Sequence, residues 1–131
     1  MESKKGRAIA KYYPQPTRKA LELYKNRSKL FSSILLQLRT EKIGLNTFLK
    51  RARVPNIEAL CDYGEEEETV EHFLFRCSKW NEQRAILGDL KTIQETLGER
   101  KNSEKAVRFV LATGRLEQFS YIDYELALRA I

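Results

Sequence analysis

Two cysteines and one histidine are the only thiol and imidazole side chains in this 131-residue chain, and they fall as Cys61-x10-His72-x4-Cys77. Thiolate and imidazole close together point to a divalent metal, because a structural zinc ion takes four such donors in a tetrahedron. A loop giving the first donor and a helix giving the last is a common way to build that site. With only three donors of the right type, Asp62, a glutamate among residues 65–68 or water would have to complete the shell. Residues five apart on an ideal helix are rotated by about 140°. His72 and Cys77 can therefore reach one ion only if their helix ends near Arg76. The competing reading makes Cys61 and Cys77 small core hydrophobes and His72 a hydrogen-bonded helix residue. In a reducing compartment two cysteines are thiols or ligands rather than a disulfide scaffold. No P-loop, nucleophile elbow or HExxH is present, so no catalytic residue is nominated and the chain is read as not an enzyme.

The elements that must position these residues are helical by their spacing. Pro16-Thr17 starts a helix with Leu21 and Tyr24 on one face, running to about Arg27. Leu30, Phe31, Ile34, Leu35 and Leu38 form a wide apolar face over residues 29–38. Leu45, Phe48 and Leu49 make the buried side of a short helix that ends in Lys50, Arg51 and Arg53 before Val54-Pro55. Residues 61–68 read as a tight polar loop around Gly64. Thr69 caps a helix carrying Val70, His72, Phe73, Leu74 and Cys77. Ser78 caps another through Trp80, Arg84 and Leu87, and a weaker segment holds Leu90, Ile93 and Leu97. Ser103 caps a buried helix with Ala106, Val107, Phe109, Val110 and Leu111, closed by Gly114. Tyr121 to Ile131 forms a last helix. The expected fold class is all-α, a small multi-helix domain with a short Cys/His loop-helix knuckle. Residues 1–15 are a basic flexible arm and residues 16–131 a single helical domain.

Charge narrows the partners. The chain carries 24 Lys+Arg against 18 Asp+Glu, and residues 1–53 hold 14 of the basic residues against three acids, a balance of +11, leaving −5 for residues 54–131. A basic half of this density suits RNA or DNA through phosphate contact and counterion release. It also suits a solvated face that keeps the domain in solution. The Lys50-Arg51-Arg53 cluster likewise complements a helix dipole. No apolar run approaches the roughly 20 residues of a membrane span, and Met1 to Arg7 leads into polar residues rather than a secretory h-region. An intracellular location, nuclear or cytoplasmic, is expected, with no membrane partner.

The stretch Leu35-Leu36-Gln37-Leu38-Arg39-Thr40-Glu41-Lys42-Ile43-Gly44-Leu45-Asn46-Thr47-Phe48-Leu49 resembles a segment near the C-terminus of fungal LINE-type (non-LTR) retrotransposon reverse transcriptase polyproteins. As in that family, a Cys-Gly loop follows (Cys61-Asp62-Tyr63-Gly64). After it come the helix Glu68-Thr69-Val70-Glu71-His72-Phe73-Leu74-Phe75-Arg76-Cys77 and a closing segment from Val107-Arg108-Phe109 to Gly114-Arg115-Leu116-Glu117-Gln118-Phe119-Ser120. The resemblance spans roughly residues 16–124. It implies a zinc-knuckle-like, nucleic-acid-binding tail downstream of polymerase and RNase H domains, whose own motifs are not in these residues. It carries the ligand role to Cys61, His72 and Cys77 and makes 61–77 a degenerate zinc-knuckle motif, since Tyr63 stands where the family has its second cysteine. Tyr63 buried against Phe73 or Trp80 would replace that part of the clamp with packing.

The expected function is a non-catalytic, retrotransposon-derived nucleic-acid-binding module. Lys25, Arg27, Lys29, Arg39, Lys42, Lys50, Arg51 and Arg53 would contact phosphates, with Tyr12 and Tyr13 as stacking residues. The alternative is an exapted, effector-like protein-interaction module of a fungus, with nucleic-acid binding lost and the acidic half facing a protein partner.

Overall fold

The computed structural model describes residues 22–116. The arm at 1–15 with Tyr12 and Tyr13, most of the helix expected from Pro16, and the last helix at 121–131 lie outside the described residues. Among the described residues five α-helices follow one another: α1 (Lys29–Thr40), α2 (Asn46–Arg51), α3 (Val70–Phe75), α4 (Ile93–Leu97) and α5 (Arg100–Thr113), with two 3₁₀ turns, Ser78–Trp80 and Gln83–Leu87, between α3 and α4. Leu60 and Glu67 pair as an isolated antiparallel bridge, and no strand forms among the described residues. The domain is all-α, as the spacing predicts.

Helix α1 starts where Ser28 Oγ accepts the Phe31 N–H at 3.1 Å, a side-chain cap for an otherwise orphaned donor. Its face of Phe31, Ile34, Leu35 and Leu38 is fully buried. Helix α5 lies across α1, α4 and the second 3₁₀ turn, burying Ala106, Val107, Phe109 and Val110. Phe73 of α3 is the hinge of the core. Its ring stacks tilted on Phe109 at 5.1 Å and meets Trp80 edge-on at 6.2 Å, both arrangements that aromatic quadrupoles favour. Thr92 and Glu95 form a full capping box on α4, and Gly114 closes α5 with φ of 60°, the left-handed position that favours glycine.

Four local expectations are corrected. The segment before Arg27 leaves helical geometry after Glu22 and turns, with Asn26 at φ 59°. Helix α2 buries none of its own residues; Leu45, at its N-cap, is the buried one, and Phe48 and Leu49 are half-buried. Ser103 does not cap α5: the helix starts three residues earlier at Arg100, and Ser103 is buried inside it, its Oγ donating to the Arg100 carbonyl at 2.7 Å. Ser78–Leu87 is not one helix but two 3₁₀ turns broken at Asn81-Glu82. The break turns Arg84 back onto carbonyls at the end of α3, groups that the helix itself leaves unpaired.

Candidate metal centre and basic surface

The knuckle is a short hairpin. Glu68 N–H donates to the Ala59 carbonyl at 2.7 Å, Cys61 N–H to Glu66 at 2.9 Å, and Gly64 N–H to Cys61 at 2.8 Å. Gly64 takes φ of 67°, which a side chain would strain. The turn wraps peptide N–H groups around the Cys61 sulfur. Burial pushes that thiol up, but the N–H groups of Glu66 and Glu65, the His72 side chain and the N–H of Tyr63 outweigh it and bring it down to about 7.

Helix α3 delivers the other two donors. Thr69 Oγ1 accepts the His72 N–H at 3.1 Å, so the expected cap also fixes the turn that carries His72. The helix ends at Phe75, and the N–H groups of Arg76 and Cys77 both donate to the His72 carbonyl, at 2.9 and 2.8 Å. Cys77 is extended (φ −63°, ψ 120°), so it leaves the helical track at the place where sharing one ion with His72 demands. Arg84 holds it there, donating to the carbonyls of Cys77 at 2.7 Å, Leu74 at 2.9 Å and Phe73 at 3.4 Å. Burial pushes the Cys77 thiol up, and the nearness of Cys61 and Glu65 adds to it against one opposing hydrogen bond from the Lys79 N–H.

The three expected ligands therefore meet. One donor atom each from Cys61, His72, Cys77 and also Glu65 lie within 4.8 Å of one another, the first three residues being buried. Tetrahedral zinc bonds of about 2.0–2.3 Å put ligand atoms some 3.3–3.8 Å apart, so closing on an ion needs movements of under about 1 Å per atom. The chemistry of the set, two thiolates, an imidazole and a carboxylate, fits zinc. The described residues thus contain a group able to hold a metal ion.

The acidic run splits among separate partners. Glu65 accepts from Ser78 N–H at 3.0 Å and Ser78 Oγ at 2.7 Å. Glu66 Oε2 lies 3.3 Å from His72 Nδ1 and 3.2 Å from Arg76 Nε. Glu68, buried, pairs with Arg115, and Asp62 pairs with Lys79. Tyr63 is a correction: its ring does not bury against Phe73 or Trp80 but is 60% exposed. Trp80 already fills the edge of Phe73. Packing by Tyr63 is therefore no substitute for a ligand.

Among the expected phosphate contacts, Lys25, Lys29, Lys42, Lys50, Arg51 and Arg53 are exposed. Lys50, Arg51 and Arg53 gather at the end of α2, where Val54 N–H reaches the Leu49 carbonyl and Arg53 N–H the Lys50 carbonyl, both at 3.0 Å. This paired closure is a Schellman cap, with Arg53 at φ 63° in the position usually given to glycine. Arg27 and Arg39 are corrections. Arg39 is 3% exposed and donates to the Tyr24 hydroxyl at 3.3 Å. Arg27 pairs with Glu104 and lies over the Phe31 ring at 4.6 Å. Arg39 thus packs α1 against the preceding segment, and Arg27 joins that segment to α5.

Sequence does not separate Glu65 from its acidic neighbours, and Ser78, which its position marks as a helix cap, instead donates to Glu65. Also missed was an exposed basic stripe on α5, Lys101, Lys105 and Arg108. Its i, i+4, i+7 spacing is visible in sequence but is hidden when charge is counted over the whole acidic half. No protein-family model, no curated protein sequence and no solved structure matches the chain.

Proposed function

We propose that the protein is a non-catalytic nucleic-acid-binding module derived from a LINE-type retroelement, its knuckle clamped by zinc on Cys61, His72 and Cys77. The observation that carries the nucleic-acid reading is the end of α2. Lys50, Arg51 and Arg53 are all exposed, none joins an ion pair among the described residues, and Arg53 occupies a left-handed backbone position. The Schellman cap fixes the backbone that carries them, so these three cations are presented together on one rigid helix end. The zinc reading is supported by the buried thiol and imidazole donors that converge within 4.8 Å. When bound, zinc would supply a structural cross-link between hairpin and helix and no reaction step.

Fluorescence anisotropy against labelled single-stranded RNA and DNA over a salt series tests the reading. Single strands lose about 0.7 in slope of log K against log salt per phosphate contact, so K50Q/R51Q/R53Q flattens the slope by about 2. Arg39→Gln leaves the slope unchanged, because Arg39 faces the core. Absence of binding at low salt overturns the module. It would favour the second reading, a protein-interaction domain, for which the exposed Leu60 and Tyr63 on the hairpin speak.

A further inference from the structure

We propose that Glu65 is the fourth metal ligand of the knuckle and Ser78 its positioning residue, making a two-thiolate, one-imidazole, one-carboxylate site for zinc. The inference rests on the metal reading above and deepens it, because it singles out Glu65 from Asp62, the other glutamates and water as the fourth donor.

Position 63 cannot serve. Its side chain is 60% exposed, and it is the peptide N–H of Tyr63, not the ring, that reaches the Cys61 sulfur. Gly64 then reverses the chain with its positive φ, and the next residue is returned to the cluster. A Glu65 oxygen shares the 4.8 Å grouping with the Cys61 and Cys77 sulfurs and a His72 nitrogen. Carboxylate oxygen is an accepted zinc donor at about 2.0–2.2 Å.

His72 supplies an independent sign that an ion belongs there. The residue is 1% exposed, its ring nitrogens make no hydrogen bond of good geometry, and its polar neighbours include the Glu66 carboxylate and the Cys61 sulfur. A buried imidazole whose nitrogens lack well-formed hydrogen bonds is costly. Glu66 Oε2 stands 3.3 Å from Nδ1, close to a hydrogen bond. A metal-bound histidine usually gives its other ring nitrogen to a carboxylate. Glu66 on Nδ1 leaves Nε2 for the metal, and one ion satisfies the nitrogen that otherwise lacks a well-formed bond.

Ser78 explains how an exposed glutamate is held in place. Its N–H and hydroxyl donate to the two oxygens of the Glu65 carboxylate at 3.0 and 2.7 Å. Ser78 follows Cys77 directly, so the same step of backbone sets one thiolate and the carboxylate. Monodentate binding through one oxygen leaves the other on Ser78.

The test is titration of the chelator-stripped chain with cobalt(II), whose visible bands report tetrahedral geometry and whose near-ultraviolet charge-transfer band counts thiolates. The unaltered chain gives a tetrahedral, two-thiolate spectrum. Glu65→Gln, nearly isosteric at an exposed position, binds cobalt about 10- to 100-fold more weakly. Glu65→Cys adds a third thiolate and raises the charge-transfer intensity by about half, whereas Tyr63→Cys leaves it unchanged. Ser78→Ala weakens binding about 10-fold with the thiolate count unaltered, and Ser78→Thr restores it. If the unaltered chain shows no two-thiolate tetrahedral cobalt, the metal reading itself fails. If it does, but Glu65→Gln binds equally well or Tyr63→Cys supplies the third thiolate, the metal reading stands and Glu65 is refuted as the ligand.

Discussion

Arg115 returns the end of α5 to the knuckle, and its removal has a calculable cost. Its Nε donates to Glu68 Oε2 at 3.0 Å, and its Nη2 to Glu68 Oε1 at 2.6 Å and to Asn46 Oδ1 at 3.0 Å. Asn46 N–H donates to the same Glu68 carboxylate at 2.7 Å. The Glu68 side chain is 3% exposed and that of Arg115 18%. Arg115→Met keeps the apolar stem and removes every guanidinium donor, leaving a buried carboxylate with one main-chain partner. Deleting one member of a buried ion pair costs about 3–5 kcal/mol; the partial exposure of Arg115 lets in some water, which places the cost near 3 kcal/mol, the lower end of that range. With a urea slope of about 1–1.5 kcal/mol per molar, the unfolding midpoint falls by about 2–3 M. Glu68→Gln retains the shape and an acceptor oxygen while Arg115 can swing to solvent, so it costs less, about 1–2 kcal/mol. The double variant falls short of the sum of the two, with a coupling of about 1–3 kcal/mol. Urea unfolding of the four proteins followed by circular dichroism measures all of this. A loss below about 1 kcal/mol for Arg115→Met, or a coupling near zero, would refute the claim that this pair closes the fold.

Two further outcomes follow from the knuckle. In chelator-treated protein, thiolate absorbance rises in two steps, Cys61 at about 7 and Cys77 above the ordinary thiol value of 9.0. Cys61→Ser removes the early step, and a single step near 9 in the unaltered chain would contradict the N–H cradle. Because the folded value of Cys61 is depressed, its contribution to stability is complete above the ordinary value and is lost as pH falls through about 7. Arg84→Met removes donors from the Phe73 and Leu74 carbonyls of α3 and from that of Cys77 beyond it and, at about 1 kcal/mol per hydrogen bond, costs about 2–3 kcal/mol. It also weakens metal binding by freeing Cys77. A urea melt paired with a cobalt titration checks both, and an unchanged cobalt affinity would show that Cys77 is held by other contacts.

How much of this was legible in sequence depends on whether the signal repeats. The face Phe31, Ile34, Leu35, Leu38 names its helix because burial recurs with the helical period. Thr69 and Gly114 mark helix ends through properties of single residues. Even the buried Arg39 was readable, since it stands four residues after Leu35 on the same face; its charge drew attention away from its position. Glu65 to Glu68 was different. Four identical residues in a row carry no direction, and only the left-handed turn at Gly64 and the bridge between Leu60 and Glu67 decide where each points. A count of charge by halves is equally blind to direction. Asp62, Glu65, Glu66, Glu68, Glu71 and Glu104 all have partners inside the domain, whereas Lys50, Arg51, Arg53, Lys101, Lys105 and Arg108 are exposed. Each ion pair among these projects little field but removes a cation together with its acid, and Glu65 keeps its charge because its partner is the neutral Ser78. The net balance is therefore unchanged by pairing, and what the structure adds is position: exposed cations stand at the end of α2 and again along α5. A polyanion approaching the domain would meet cations at the end of α2 and along α5, so K101Q/K105Q/R108Q should lower affinity for single strands alongside the α2 substitutions, which a purely solvating role for the α5 stripe would not.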